Sequence, residues 1–141
     1  MTVSALIEQD GRYLVVEELI DGVAVMNQPA GHLEAGESLI EGVIREVREE
    51  TCRAFEPQAL TGLYRWVAPS NDTTFMRVNV IGRVGPEDTR LARDPDITAT
   101  HWLDRAALDK PGVCRSPLVL RCIDDFLGGQ RYPLELLHEL D

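Results

Sequence analysis

The chain has 141 residues and a net charge of −10, from 14 basic and 24 acidic side chains. At that length a single domain, residues 1–141, is expected, and a field of that sign opposes nucleic acid and anionic membrane, whose recognition needs basic patches. With 44% apolar and 27% charged residues the composition is that of a globular protein, and no apolar run approaches the roughly 20 residues that span a bilayer.

From the N-terminus, Val3–Ile7 alternates weakly and reads as a strand, Gln9-Asp10-Gly11 as a turn, and Arg12–Glu18 as a second strand, so a hairpin is expected to open the fold. Ile20-Asp21-Gly22 is a further turn before a short strand at Val23–Met26. Asn27–Gly31, with its proline and glycine, suits neither strand nor helix interior. Ser38 and Glu41 form a capping box, which predicts a helix from Leu39 to about Thr51. Its apolar stripe is Leu39, Val43 and Val47, flanked by Ile40 and Ile44. Strands are expected at Ala59–Ala68, Thr74–Val84 and Ile97–Leu103, with a loop at Gly85–Pro95. Asp104 caps a short helix to Leu108. Ser116-Pro117 starts another, which Gly128-Gly129 ends, and the tail RYPLELLHELD adds a turn of helix. Strands outnumber helices, and helices occur at two places, which points to a mixed sheet with helices on both faces.

The stretch Gly31–Glu50 carries the chemistry. Glu46, Glu49 and Glu50 stand at i, i+3 and i+4, one face of a helix, with Cβ atoms about 5–6 Å apart. Two like charges at 4 Å cost on the order of 4 kcal/mol in a surface-like dielectric of about 20. A solvated acidic face carries the same pattern. The other reading is a site for a hard divalent cation with oxygen ligands, Mg²⁺ above all, which bridges to phosphate oxygens. Such an ion inverts the local sign for an anionic substrate. Pro29-Ala30-Gly31 lets backbone approach a ligand closely, and Arg45 lies four residues before Glu49, where its guanidinium can orient that carboxylate. The reaction class is then phosphoryl transfer to water.

The pattern Gly31-x5-Glu37-x7-Arg45-Glu46-Val47-x-Glu49-Glu50 resembles the Nudix box, here residues 31–53. YLVVEELIDG, NQPAGHLEAGESLIEG, Arg65–Pro69, RSPLV at Arg115–Val119 and GQRYPLE at Gly129–Glu135 are similar to the NudJ-type phosphatase branch of the Nudix hydrolases. The resemblance implies an α/β (α+β) fold, the Nudix α/β/α sandwich with a mixed β-sheet between helices. It also implies Mg²⁺-dependent hydrolysis, with Mn²⁺ as the alternative ion. The substrates would be nucleoside tri- and diphosphates, hydroxymethylpyrimidine pyrophosphate and thiamine pyrophosphate, with inorganic phosphate released. Metal ligation carries over to Glu46, Glu49 and Glu50 with the carbonyl of Ala30. Catalysis carries over to Glu49, Glu46 and Arg45. In the family the box ends in a glycine and an apolar residue, whereas Cys52 and Arg53 stand there in this chain.

Further groups lie outside the box. Of the later loop acids Glu87, Asp88, Asp94 and Asp96, Asp96 ranks first as an assisting base. Tyr64, Trp66 and Arg77 suit the leaving portion of a substrate: the aromatic pair alternates along one strand, and an arginine fork matches phosphate. Gln28 and Asn27 flank the Pro-Ala-Gly segment within reach of substrate. The three cysteines, Cys52, Cys114 and Cys122, show no C-x-x-C pairing, and no basic stretch precedes the first apolar residues. Both point to a reducing, cytoplasmic setting. The expected partner is a small pyrophosphate or nucleotide, with neither nucleic acid nor membrane, and the branch resemblance implies a monomer. A Nudix-fold module that senses such a metabolite without cleaving it is the rival reading.

Overall fold

The computed structural model describes residues 1–140. In chain order it contains β1 (Thr2–Leu6), β2 (Glu8–Gln9), β3 (Arg12–Ile20), β4 (Val23–Asn27), β5 (Ala30–His32), α1 (Leu39–Thr51), β6 (Phe55–Val67), β7 (Thr74–Val84), β8 (Ile97–Asp104), α2 (Arg105–Leu108), α3 (Pro117–Leu127) and a 3₁₀ turn at Leu134–Leu136. The strands form two four-stranded sheets. One has the order β5-β1-β7-β6, and its β1–β7 pair is parallel. In the other, β3 pairs antiparallel with β2, β4 and β8. Helices cover both faces, as the sandwich requires.

The period-two side-chain pattern decides which face is which. Val3 and Ala5 of β1, Leu14 of β3, and Val78 and Val80 of β7 join Val43 and Val47 of α1 in one core. Leu6 of β1, with Tyr13 and Val15 of β3, joins Val119, Cys122 and Ile123 of α3 in a second core. β1 is covered on both sides, Thr2 and Ser4 being buried along with Val3, Ala5 and Leu6, and this is why it alternates so weakly in sequence.

Three expectations change. The opening hairpin is not made by the first strand: β1 lies in the other sheet, and the two-residue β2 turns back on β3 through Asp10 (φ 53°) and Gly11 (φ 77°). The supposed loop at Ala30–Gly31 is a short strand, because Ala30, Gly31 and His32 pair with Ser4, Val3 and Thr2. β6 starts at Phe55, ahead of Ala59, with its register shift between Pro57 and Ala59 absorbing the proline. The ends of α1, β7, α2 and α3 lie where capping and turn residues place them.

The tail closes the structure. Leu60 and Tyr132 exchange two backbone hydrogen bonds of 2.8 Å, and the Glu139 carboxylate accepts from the Leu39 N–H at the first turn of α1, at 3.0 Å. Among the described residues no helix is long and apolar enough to cross a membrane. The fold predicts that Leu14→Ala, at 2% exposure, costs roughly 2–5 kcal/mol. A lower urea midpoint at unchanged m-value is the check.

Candidate active site

Ser38 sets the start of α1: its hydroxyl accepts from the Glu41 N–H, and the Glu41 carboxylate accepts from the Ser38 N–H. From that start the helix brings Glu46 and Glu50 to its inner edge and Glu49 to its rim. Glu46 and Glu50 are 8% and 7% exposed, while the Glu49 side chain is 47% exposed. Burial raises both inner carboxyls above the usual range, Glu50 to about 9. For Glu50 the neighbouring charges of Glu46, Glu18 and Asp94 add to that, and a hydrogen bond from the Ala30 N–H at 2.9 Å works against it.

β5 runs along this edge. Gly31 lies against the Glu46 carboxylate so closely that any Cβ there would overlap it. The motif therefore needs glycine for room; its backbone is not in the left-handed region. At the far end of α1, Cys52 takes φ 60° and ψ 29°, the conformation that glycine supplies in the family's box. The departure seen in sequence leaves the helix end unchanged.

Arg45 is the hub. Its Nε and Nη2 donate to the two oxygens of Glu37 at 2.6 and 2.9 Å. Nη1 donates to Glu46 at 2.8 Å and to Glu49 at 3.2 Å, and Nη2 also donates to the His32 carbonyl at 3.0 Å. The expected Arg45–Glu49 contact is thus present, but the principal partner is Glu37. The guanidinium, with the Glu34 N–H, holds the Glu37 carboxyl down at about 2.

Among the described residues no three carboxylate, imidazole or thiol groups converge on one point, because Arg45 draws Glu46 and Glu49 toward itself and Ala30 holds Glu50. The donor set nonetheless fits a hard divalent ion: two buried carboxylates and an exposed third share one helical edge beside backbone. Of the loop acids, Asp94 lies nearest. Its N–H donates to the Glu49 carbonyl at 2.8 Å, and its charge reaches Glu50. Asp96, ranked first from sequence, is exposed and donates its own N–H to Asp94, and Asp88 is engaged by Arg90.

A separate cavity of about 300 Å³ is lined by Asn27, Trp66, Phe75, Arg77, Arg115 and Ser116 among others. Trp66 stacks on Phe75 with centroids 5.6 Å apart and planes 25° apart. Arg77 is 8% exposed and reaches Thr2 Oγ1 at 3.4 Å; its Nη1 and Asn27 Oδ1 are buried without partners. A buried polar group in that state calls for an explanation. Arg115 Nη1 donates to Glu18 Oε2 at 2.9 Å, and the charges of Glu18 and Glu50 both reach Arg77. Glu50 is therefore the box carboxylate whose charge is felt in the cleft.

Two residues expected to contact substrate have partners within the protein. Tyr64 donates to Asp125 Oδ2 at 2.8 Å and lines a separate cavity of about 510 Å³ with Leu60, Arg121 and Tyr132. Gln28 is 3% exposed, and its Oε1 accepts from Asn79 Nδ2 at 3.0 Å. Arg115 lines the cleft and is paired with Glu18, and neither was marked as a candidate by the sequence. Arg115 stands in RSPLV, where an arginine at a helix start was the available signal; Glu18 ends an apolar strand and gives none.

Glu37 supplies a pH signature. Its folded carboxyl, at about 2, lies below the unfolded value of about 4.3. Its contribution to stability is therefore present above that unfolded value and lost as pH falls toward about 2. Melting temperatures followed through that window should fall for the wild type and less for Glu37→Gln.

The NUDIX domain profile matches residues 1–119. Over 141 residues, all of this chain, it is 38% identical to Phosphatase NudJ from Shigella boydii serotype 4 (strain Sb227) and from Escherichia coli (strain K12), covering 92% of each. A solved NUDIX hydrolase from Nitrosomonas europaea superposes with a TM-score of 0.94 at 45% identity, over 99% of this chain and 95% of that one. The crystal structure of a UDP-X diphosphatase, at 16% identity, shares the fold with a TM-score of 0.73, over 94% of this chain and 64% of that one. Nudix hydrolases generally use divalent metal ions and act on small-molecule nucleotide substrates. With its box carboxylates on α1 and relatives along its whole length, the chain belongs to the Nudix hydrolase family.

Proposed function

We propose that this hydrolase cleaves phosphoanhydride bonds in nucleoside tri- and diphosphates and in thiamine-related pyrophosphates, including hydroxymethylpyrimidine pyrophosphate and thiamine pyrophosphate, and releases inorganic phosphate. Its relatives' name, Phosphatase NudJ, supports phosphate as the product. One observation carries the reading: Glu46 and Glu50 are buried side by side on one helical edge with their carboxyls pushed upward, an arrangement that a divalent cation would make favourable.

Glu46, Glu49 and Glu50, with the Ala30 carbonyl, would hold Mg²⁺, with Mn²⁺ as substitute. When bound, such an ion neutralises charge developing on the phosphoryl group and acidifies a coordinated water. Arg45 orients Glu46 and Glu49 through its Nη1 bonds. Glu49 is the carboxylate with solvent access and takes the proton of the attacking water. Arg77 and Trp66 hold the leaving portion in the cleft, where a guanidinium with a free Nη1 receives phosphate and the indole stacks on a planar ring. Three free cysteines fit a cytoplasmic setting, and we read the chain as a monomer.

Glu49→Gln should lower kcat by about 10²-fold or more while circular dichroism stays unchanged, in the range that general-base catalysis contributes. EDTA should abolish turnover, with Mg²⁺ or Mn²⁺ restoring it and Zn²⁺ restoring it poorly; phosphate release from thiamine pyrophosphate, hydroxymethylpyrimidine pyrophosphate and nucleotides is the assay. A second test uses Glu50. Its folded value near 9 lies above the unfolded one, so the metal-free chain should lose stability as pH rises from about 4.3 through 9. Glu50→Gln should flatten that slope, and added Mg²⁺ should offset the loss in wild type.

A further inference from the structure

The sheet face beneath α3 is apolar at one end and polar at the other. Val78 and Val80 enter the α1 core, so Arg77, Asn79 and Ile81 point to the opposite face. Register sets Asn79 beside Ser4 of β1 and Gly62 of β6. Asn79 has no exposure at all. Its Nδ2 donates to Ser4 Oγ at 2.6 Å and to Gln28 Oε1 at 3.0 Å, and its Oδ1 accepts from Thr61 Oγ1 at 2.8 Å. Ser4 and Thr61 are equally buried. Apolar residues could fill this space without any polar group to satisfy; a satisfied buried network instead fixes one geometry.

What this network fixes is Gln28, and with it the strap that meets α1. The Pro29 carbonyl accepts from the Ala5 N–H at 2.9 Å. The next residue, Ala30, donates its N–H to Glu50, and Gly31 seats the Glu46 carboxylate. Residues 28 and 29 are thus tied to the sheet, and residues 30 and 31 touch two of the carboxylates assigned above to metal.

We propose that Asn79 is a positioning residue for the hydrolytic site: it locks Gln28, and through the strap from Gln28 to Gly31 it sets where Glu46 and Glu50 present their oxygens. This rests on the site reading above, and it makes Gln28 an internal brace that does not touch substrate.

Three variants test it. Gln28→Met keeps the length of the side chain and removes its acceptor. Asn79→Leu keeps approximate shape and removes all three bonds. Thr61→Val cuts the network on the side away from the strap. The readouts are kcat, KM, and the apparent Kd for Mn²⁺ taken from the Mn²⁺-dependent rise in melting temperature. Gln28→Met and Asn79→Leu should each lower kcat and weaken Mn²⁺ by about tenfold or more, the usual effect of losing an outer support of a metal site, with KM little changed. Thr61→Val should lower the melting temperature yet leave kcat and Mn²⁺ affinity near wild type. A rise in KM alone for Gln28→Met would overturn the proposal by making Gln28 a substrate contact. Losses that track melting temperature across all three would overturn it as a matter of folding only. If Asn79→Leu does not fold, the contrast between Gln28→Met and Thr61→Val decides. A wild type that releases no phosphate would defeat the hydrolytic reading separately. The Mn²⁺ titration then still discriminates, because equal affinity in wild type and Gln28→Met defeats the positioning role.

Discussion

Desolvation of Glu46 and Glu50 is the constraint around which the rest of α1's surroundings are arranged. Each carboxyl is pushed up by burial, and the two lie on one helical edge. Opposing terms come from every side. The Ala30 N–H holds Glu50, Arg45 holds Glu46, and Gly31 lacks the Cβ that would collide with the Glu46 carboxylate. Arg45 itself is fixed by Glu37 and the His32 carbonyl, so the orientation of the acids is set by groups on both flanks of the helix.

That arrangement demands a strand in an unusual place. For Ala30 and Gly31 to reach the acids, the chain has to run extended along the edge of β1, and it does so for three residues despite Pro29 and Gly31. Pairing with β1 overrides local propensity, as tertiary context commonly does in sheets. The parallel β1–β7 pair then places Asn79 directly across from Ser4, under the same strap.

Legibility followed the range of the forces involved. Ser38 with Glu41, Ser116 with Pro117, and Asp104 are local caps, and each fixed a helix start that the structure reproduces. The carboxylate face of α1 was readable because helical spacing depends on local geometry. Strand partners were not: nothing near Val3–Ile7 says that its neighbour is β7, some seventy residues on. The burial of Gln28 was equally hidden, since it depends on Asn79 in a distant strand. The same holds for Glu18, whose partner Arg115 stands far along the chain. Tyr64 and Trp66 alternate as expected, yet Asp125 from α3 claims the tyrosine hydroxyl, so a shared face did not mean a shared cavity.

The end of the chain also bears on the chemistry. Glu139 caps a helix that begins one hundred residues earlier, and Tyr132 closes on Leu60 of β6. Both attachments lie beyond the segment that the family profile matches, residues 1–119. A protease nick in the exposed stretch around Gly129-Gln130 would therefore leave every box residue intact yet sever the covalent tether of Glu139, leaving the start of α1 to the Ser38–Glu41 cap.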